Sequence, residues 1–310
     1  DKLYTKGVSS VLDYSVEGKE EEAQFDAALA MTLKTIEFAK EREAIPFAVF
    51  KPTGFGRIDL YEKVGAKANL AEAEQDEWDR VITRFDIACK AAFEKDVMLL
   101  IDAEESWMQD AADAIVTDMM RKYNKQKAIV FNTLQMYRWD RLAYLKQLHE
   151  QAKTEVFHIG MKLVRGAYME KENARAAEKG LKSPICISKE ATDINYDDAV
   201  LYMVDHLDQM AIFAGTHNEE SSYKLMQLLD EKGIAKDDKR IFFGQLLGMS
   251  DNISFNLAAN HYNVAKYLPF GPVRDVMPYL IRRAQENTSV AGQTSRELTL
   301  IKKEKARRKL

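Results

Sequence analysis

Apolar residues along this chain follow two alternating rhythms. Short runs rich in β-branched and aromatic residues, at 8–13, 46–51, 97–102, 128–132, 158–164, 210–214, 240–244 and 264–268, read as strands. Longer stretches at 23–41, 74–95, 107–123, 140–151, 195–207 and 219–233 carry apolar residues three and four apart, the spacing of a helix with one buried face. Strands that alternate with helices predict a parallel sheet with crossover helices. Eight such units predict an α/β fold, a (β/α)8 TIM-type barrel. Residues 54–75 insert a loop and a helix between the second strand and its crossover helix, as a lid or as a decorated loop.

The polar residues that end these runs suggest where a site lies. Asp13, Lys51, Asp102, Gln135, Arg165, His217, Gln245 and Tyr267 each close or follow an apolar run. In a (β/α)8 barrel those positions converge on the C-terminal mouth, where such folds keep their sites. The segment 266–290, KYLPFGPVRDVMPYLIRRAQENTSV, follows the eighth strand. It predicts a last helix lying over that mouth. Tyr279, Arg282, Arg283 and Glu286 stand at i, i+3, i+4 and i+7, on one face. A solvated face with an internal Arg–Glu pair is the plain reading of RRxxE. Beside eight polar strand ends, paired guanidinium groups read better as a grip on a small carboxylate or zwitterion.

Composition narrows the classes. The chain has 310 residues, 46% hydrophobic and 30% charged, enough for a large core and consistent with one barrel domain over 1–310. A net charge of −4 argues against nucleic acid as a partner. The end of the chain, 302–310, is locally basic, a solvated tail or a weak contact for an anionic membrane surface. Cys89 and Cys186 are far apart and form no metal-ligand spacing, so a reducing compartment and no disulfide are expected. No apolar run is long enough to span a bilayer. The chain begins at Asp1, consistent with a leader or N-terminal segment upstream.

Several chemistries lack their residues. There is no G-x-S-x-G elbow, no HExxH among the five histidines, and no GxGxxG or P-loop glycine pattern. A metal site from Asp102, Glu104 and His217 is the weaker reading of a strand end rich in hydrogen-bonding groups, so no metal is expected. The rim mixes amides (Gln135, Asn218, Gln245) with cations (Lys51, Lys162, Arg165). That set suits a large polar cofactor with a pyrophosphate and an electron-accepting ring.

Longer motifs carry a resemblance. VLDYSVEG (11–18), KLVRGAYMEKENARA (162–176), EATDINY (190–196), THNE (216–219), FFGQLLGMSDNISF (242–255) and KYLPFGPVRDVMPYLIRRAQEN together resemble proline dehydrogenase, in matching order from about 8 to 300. The resemblance is greater to the free-standing enzyme than to the proline-utilisation fusion. It implies a distorted barrel that binds FAD without a covalent link. It further implies oxidation of L-proline to Δ1-pyrroline-5-carboxylate, with electrons passed to a membrane quinone. The setting would be the bacterial cytoplasm at the inner-membrane face, or the mitochondrial inner membrane and matrix, with peripheral membrane association.

By motif, the resemblance implies that Lys51, Arg282 and Arg283 pair with the proline carboxylate. Leu246, Tyr267 and Tyr279 would wall the substrate ring, with Tyr168 nearby and Asp102 linked to the flavin by hydrogen bonds. Lys162 and Arg165 would contact FAD. Gln135, Val164, Gly166, Ala167, Lys189, Thr192, Thr216, His217, Asn218, Gln245 and Glu286 would complete the cofactor site. Some relatives carry arginine at the position of Lys162, so a point charge replaces a fork here. Alternatives are a trans-4-hydroxyproline dehydrogenase, which the bulk of Tyr267 disfavours, a non-catalytic amino-acid-binding barrel, and a folate-linked flavin barrel.

Overall fold

The computed structural model describes residues 2–15, 19–274, 276–277, 280–281 and 293–308. Eight parallel strands close into a barrel in chain order: β1 Val8–Tyr14, β2 Phe47–Phe50, β3 Met98–Ile101, β4 Val130–Gln135, β5 Ile159–Val164, β6 Met210–Gly215, β7 Ile241–Leu246 and β8 Val264–Phe270. β8 returns to β1 in register from Val8↔Val264 to Tyr14↔Phe270, which closes the sheet. All eight strands expected from the apolar runs are present, with ends shifted by a residue or a few.

The crossover helices are α1 Glu22–Ala39, α2 Ile58–Gly65, α3 Glu72–Glu94, α4 Ser106–Tyr123, α5 Arg141–Glu155, α6 Met169–Lys179, α7 Lys189–Asp205, α8 Glu219–Glu231 and α9 Asp251–Ala259. A further helix, α10 Gln293–Arg307, lies near the chain end. Apolar periodicity alone does not mark α6, α9 or α10. Helix α6 buries only Glu172 and Ala176, and α9 is nine residues long, so neither offers a long apolar stripe. The expected insertion is a tight turn at Pro52–Gly54 followed by α2, with Tyr61 buried and its hydroxyl donating to Pro52 O at 2.9 Å. The last helix expected over the mouth falls largely on residues outside the described set.

Strand alternation divides the core in two. One face of each strand packs outward against the helices; the other fills the barrel with Val11, Phe47, Val49, Leu100, Phe131, Phe213, Phe242 and Tyr267. Phe47 sits edge-on against Phe131, Phe213 and Phe242, with centroids 5.8, 5.1 and 4.8 Å away. Room for Phe213 comes from Gly244, where an added Cβ would lie 2.1 Å from the ring. Cys89 and Cys186 are free thiols, and burial pushes the Cys89 thiol well up.

Phe47 touches three other rings, so truncation opens a void that none of them can fill without moving. Phe47→Ala is expected to cost about 3–5 kcal/mol in urea unfolding; a loss under 1 kcal/mol would mean that the interior is not close-packed.

Candidate active site

The mouth is lined by strand-end side chains that share the inward register. Asp13 lies opposite Val49 across β1 and β2, and Val11 and Val49 both face the interior. Asp13 and Lys51 therefore stand together one step above the apolar filling. Lys51 Nζ is 3.0 Å from Asp13 Oδ1 and 4.0 Å from Asp102 Oδ2. Lys162, from β5, pairs with Asp102 and donates to the Tyr267 hydroxyl at 3.1 Å. Its ammonium also stands 4.8 Å from the centre of the Tyr267 ring. The Ser15 hydroxyl donates to Asp13 Oδ2 at 3.0 Å.

Carboxylates and ammonium groups thus alternate across the mouth, from Asp13 to Lys51 to Asp102 to Lys162. Asp13, Lys51 and Lys162 are buried, and a buried charge is tolerated when paired and hydrogen-bonded. Of this set, Lys51, Asp102, Lys162 and Tyr267 were expected site residues. The role of Asp13 was not foreseen, although opposite charges ending two adjacent strands were the available signal.

Two rim residues face the helix layer instead. Arg165 donates to Asp193 Oδ1 at 2.6 Å, Thr216 Oγ1 at 2.8 Å and Ser221 Oγ at 2.9 Å, and lies 4.5 Å over the buried Tyr196 ring. Burial opposes the charge of Asp193, but Lys189 and Arg165 outweigh it and hold its carboxyl below the usual range. Gln245 donates to Thr216 O at 3.1 Å and accepts from the Ser254 hydroxyl at 2.9 Å. Around it, Asn218 caps α8 by accepting from Ser221 N at 3.1 Å, and His217 Nδ1 is 3.0 Å from Ser250 Oγ. Thr192 donates to Ser188 O at 3.2 Å.

Between these groups runs an open turn. Gly166 and Ala167 are exposed, while Val164 and Tyr168 are half-buried. Gly166 has φ +124°, and a Cβ there would lie 2.5 Å from the Tyr137 ring. Tyr137 N donates to Arg165 O at 2.7 Å, so the end of β4 fixes this turn; sequence reasoning missed that. Gln135 is buried, and its Oε1 has no hydrogen-bond partner among the described residues. Leu246 is half-buried at the end of β7.

Glu104 accepts from Thr53 N at 2.9 Å and from Thr53 Oγ1 at 2.6 Å. Among the described residues no group of three or more His, Cys, Asp or Glu could hold a metal. Tyr279, Arg282, Arg283 and Glu286 lie outside the described residues.

Lys266, also not foreseen, is fully buried. It donates to Met249 O at 2.8 Å and to Asp251 Oδ1 at 2.6 Å, pinning the loop that follows Leu246.

Removing the carboxylate 3.0 Å from Lys51 should be costly, because it strips a buried ion of a partner. Asp13→Ala is expected to lower stability by about 3–5 kcal/mol, and Asp13→Leu with Lys51→Met to recover much of it; equal losses in the two proteins would refute the pairing. Gly166→Ala must leave a conformation suited to glycine and displace the Tyr137 ring. It is expected to lose at least about 1–3 kcal/mol, and an unchanged melting temperature would contradict the turn described.

A family model described as proline dehydrogenase matches residues 1–296. The chain is 37% identical over 307 residues to the carbapenem antibiotics biosynthesis protein CarD of Pectobacterium carotovorum, covering 99% of this chain and 79% of that protein. It is 40% identical to human mitochondrial proline dehydrogenase 1 over 78% of this chain, but spans only 41% of the human protein. Among solved structures, proline utilization A of Bdellovibrio bacteriovorus inactivated by N-propargylglycine superposes with a TM-score of 0.79 at 19% identity, over 94% of this chain and 31% of that one. That likeness is one of fold. The chain belongs to the proline dehydrogenase family.

Proposed function

We propose that residues 1–310 form one catalytic barrel domain that oxidises L-proline to Δ1-pyrroline-5-carboxylate with FAD and delivers the electrons to a membrane quinone. The observation that carries this reading is the family match over 1–296 laid on a mouth lined with alternating lysines and carboxylates. Human and fly relatives named proline dehydrogenase 1, mitochondrial, are each 40% identical. A proline utilization A structure with proline bound in remote sites shares the fold.

The residues present fit a flavin. The buried Gln135 oxygen is an acceptor awaiting a donor, and Gly166 leaves backbone open to close approach. Lys162, Val164, Arg165, Ala167, Lys189, Thr192, Thr216, His217, Asn218, Gln245 and Glu286 would complete the site. Bound FAD would supply the hydride acceptor. Lys51, Arg282 and Arg283 would hold the substrate carboxylate, Lys51 sharing its three donors with Asp13. Leu246, Tyr267 and Tyr279 would wall the ring, with Tyr168 and Asp102 beside it. Loss of hydride from C5 to that acceptor would need the nitrogen lone pair for the new C=N bond, so the amine would have to be neutral. The resulting iminium would lose its N–H proton to solvent to give the imine. Arg282 and Arg283 would favour the neutral amine through like charge, Lys51 being already paired with Asp13.

Tyr267 is buried, and Lys162 holds its hydroxyl, so the phenol is not free to swing away for a 4-hydroxyl group. That supports proline over trans-4-hydroxyproline, although a Xenopus laevis relative named hydroxyproline dehydrogenase is 36% identical. For the membrane, α10 ends with Lys305 and Arg307 in its last turn and exposes Leu298 and Ile301, a composition suited to peripheral contact with an anionic surface. No helix of the described residues is long and apolar enough to cross a bilayer. Mitochondrial names among the animal relatives and a bacterial relative support the two settings expected from sequence.

Anaerobic L-proline is expected to bleach the flavin band of the FAD-loaded protein, and an unbleached band would exclude the activity. Arg282→Met and Arg283→Met should each raise KM for proline by about ten- to a hundredfold, the loss of one charge-assisted contact. Unchanged KM in both would remove the carboxylate assignment. The ratio of kcat/KM for the two imino acids separates proline from hydroxyproline oxidation.

A further inference from the structure

Helix α6 follows directly on the open turn at 165–168, yet little apolar surface holds it. Of its 11 residues, only Glu172 and Ala176 are buried. A carboxylate just 2% exposed needs partners, and Glu172 has them. It accepts from Ser106 N at 2.7 Å and from Ser106 Oγ at 2.6 Å. Ser106 opens α4, so this side chain satisfies an N–H that the helix leaves unpaired and meets the positive end of its dipole.

Charged contacts surround that anchor. Lys171 pairs with Glu105 and Arg175 with Glu62, while the Arg175 guanidinium lies 4.3 Å over the Trp107 ring. Helix α6 is thus clasped to α2 and α4, neither of which carries a residue of the proposed site. At its other end, Glu172 N donates to Tyr168 O at 2.9 Å. A continuous path of hydrogen bonds therefore runs from the start of α4, through Glu172, to Tyr168 and the turn that Gly166 opens.

We propose that Glu172 is a positioning residue: by tying α6 to the start of α4 it fixes Tyr168 and the 165–167 turn against the mouth. The inference rests on the proposed function only for the substrate whose binding it would affect. Hydrogen exchange and steady-state kinetics on the flavin-loaded protein, for wild type, Glu172→Ala and Ser106→Ala, test it. In Glu172→Ala, exchange at 165–172 should rise by at least about tenfold while α8 stays protected. KM for L-proline should rise about tenfold with kcat within about threefold. Ser106→Ala, which keeps the Ser106 N–H donor, should fall between, and it carries the comparison if Glu172→Ala does not fold. Adding Ser106→Ala to Glu172→Ala should change nothing further. Unchanged exchange at 165–172, or a lower melting temperature with unaltered KM, would overturn the proposal. Failure of proline to reduce wild-type flavin would count against the substrate alone, since the exchange comparison does not depend on it.

Discussion

The barrel is solid, and that one packing constraint decides where chemistry can occur. Phe47, Phe131, Phe213 and Phe242 occupy its lower interior, with Gly160 and Gly244 leaving space for rings that a Cβ would otherwise strike. A charged side chain below that floor would lose its partners. The inward charged groups are carried to the C-terminal ends of the strands, while the small hydroxyls of Ser9 and Thr133, lower in the barrel, bond to backbone carbonyls. Asp13, Lys51, Asp102, Gln135 and Lys162 gather there because the interior beneath them is full.

Charges resting on an apolar floor are poorly screened, and their order across the mouth then matters. Asp13, Lys51, Asp102 and Lys162 alternate in sign, so each is flanked by opposite charge. Among the described residues these four charges sum to zero. An incoming carboxylate would compete with Asp13 for Lys51 and would need additional cations to be held firmly, the part proposed for Arg282 and Arg283. The outward-facing set around Arg165 is a separate network, joined to the first through the ends of β4 and β5.

Much of this was legible in the chain. Strand positions followed from β-branched runs, because a strand buried on both faces has an apolar signature that local spacing cannot hide. Lys51, Asp102 and Tyr267 were visible as polar punctuation at the ends of those runs, and Lys162 as a cation within one. What escaped was set by the third dimension. That Arg165 and Gln245 would turn to the helix layer depends on strand register, which no linear pattern states. Lys266 reads as an ordinary lysine until β8 is seen to bury it beneath the loop after β7. Helix α6 escaped because its anchor is a carboxylate, and a hydrophobic stripe is the usual sign of a packed helix.

Closure of β8 onto β1 also bears on how the molecule meets other molecules. A sheet without ends offers no row of unsatisfied amides for a stray strand to extend, so amyloid-like templating from the native state has no starting point. Self-association of the folded molecule would instead use its outer surface, where Phe38 and Phe93 on the helices each remain half open to solvent.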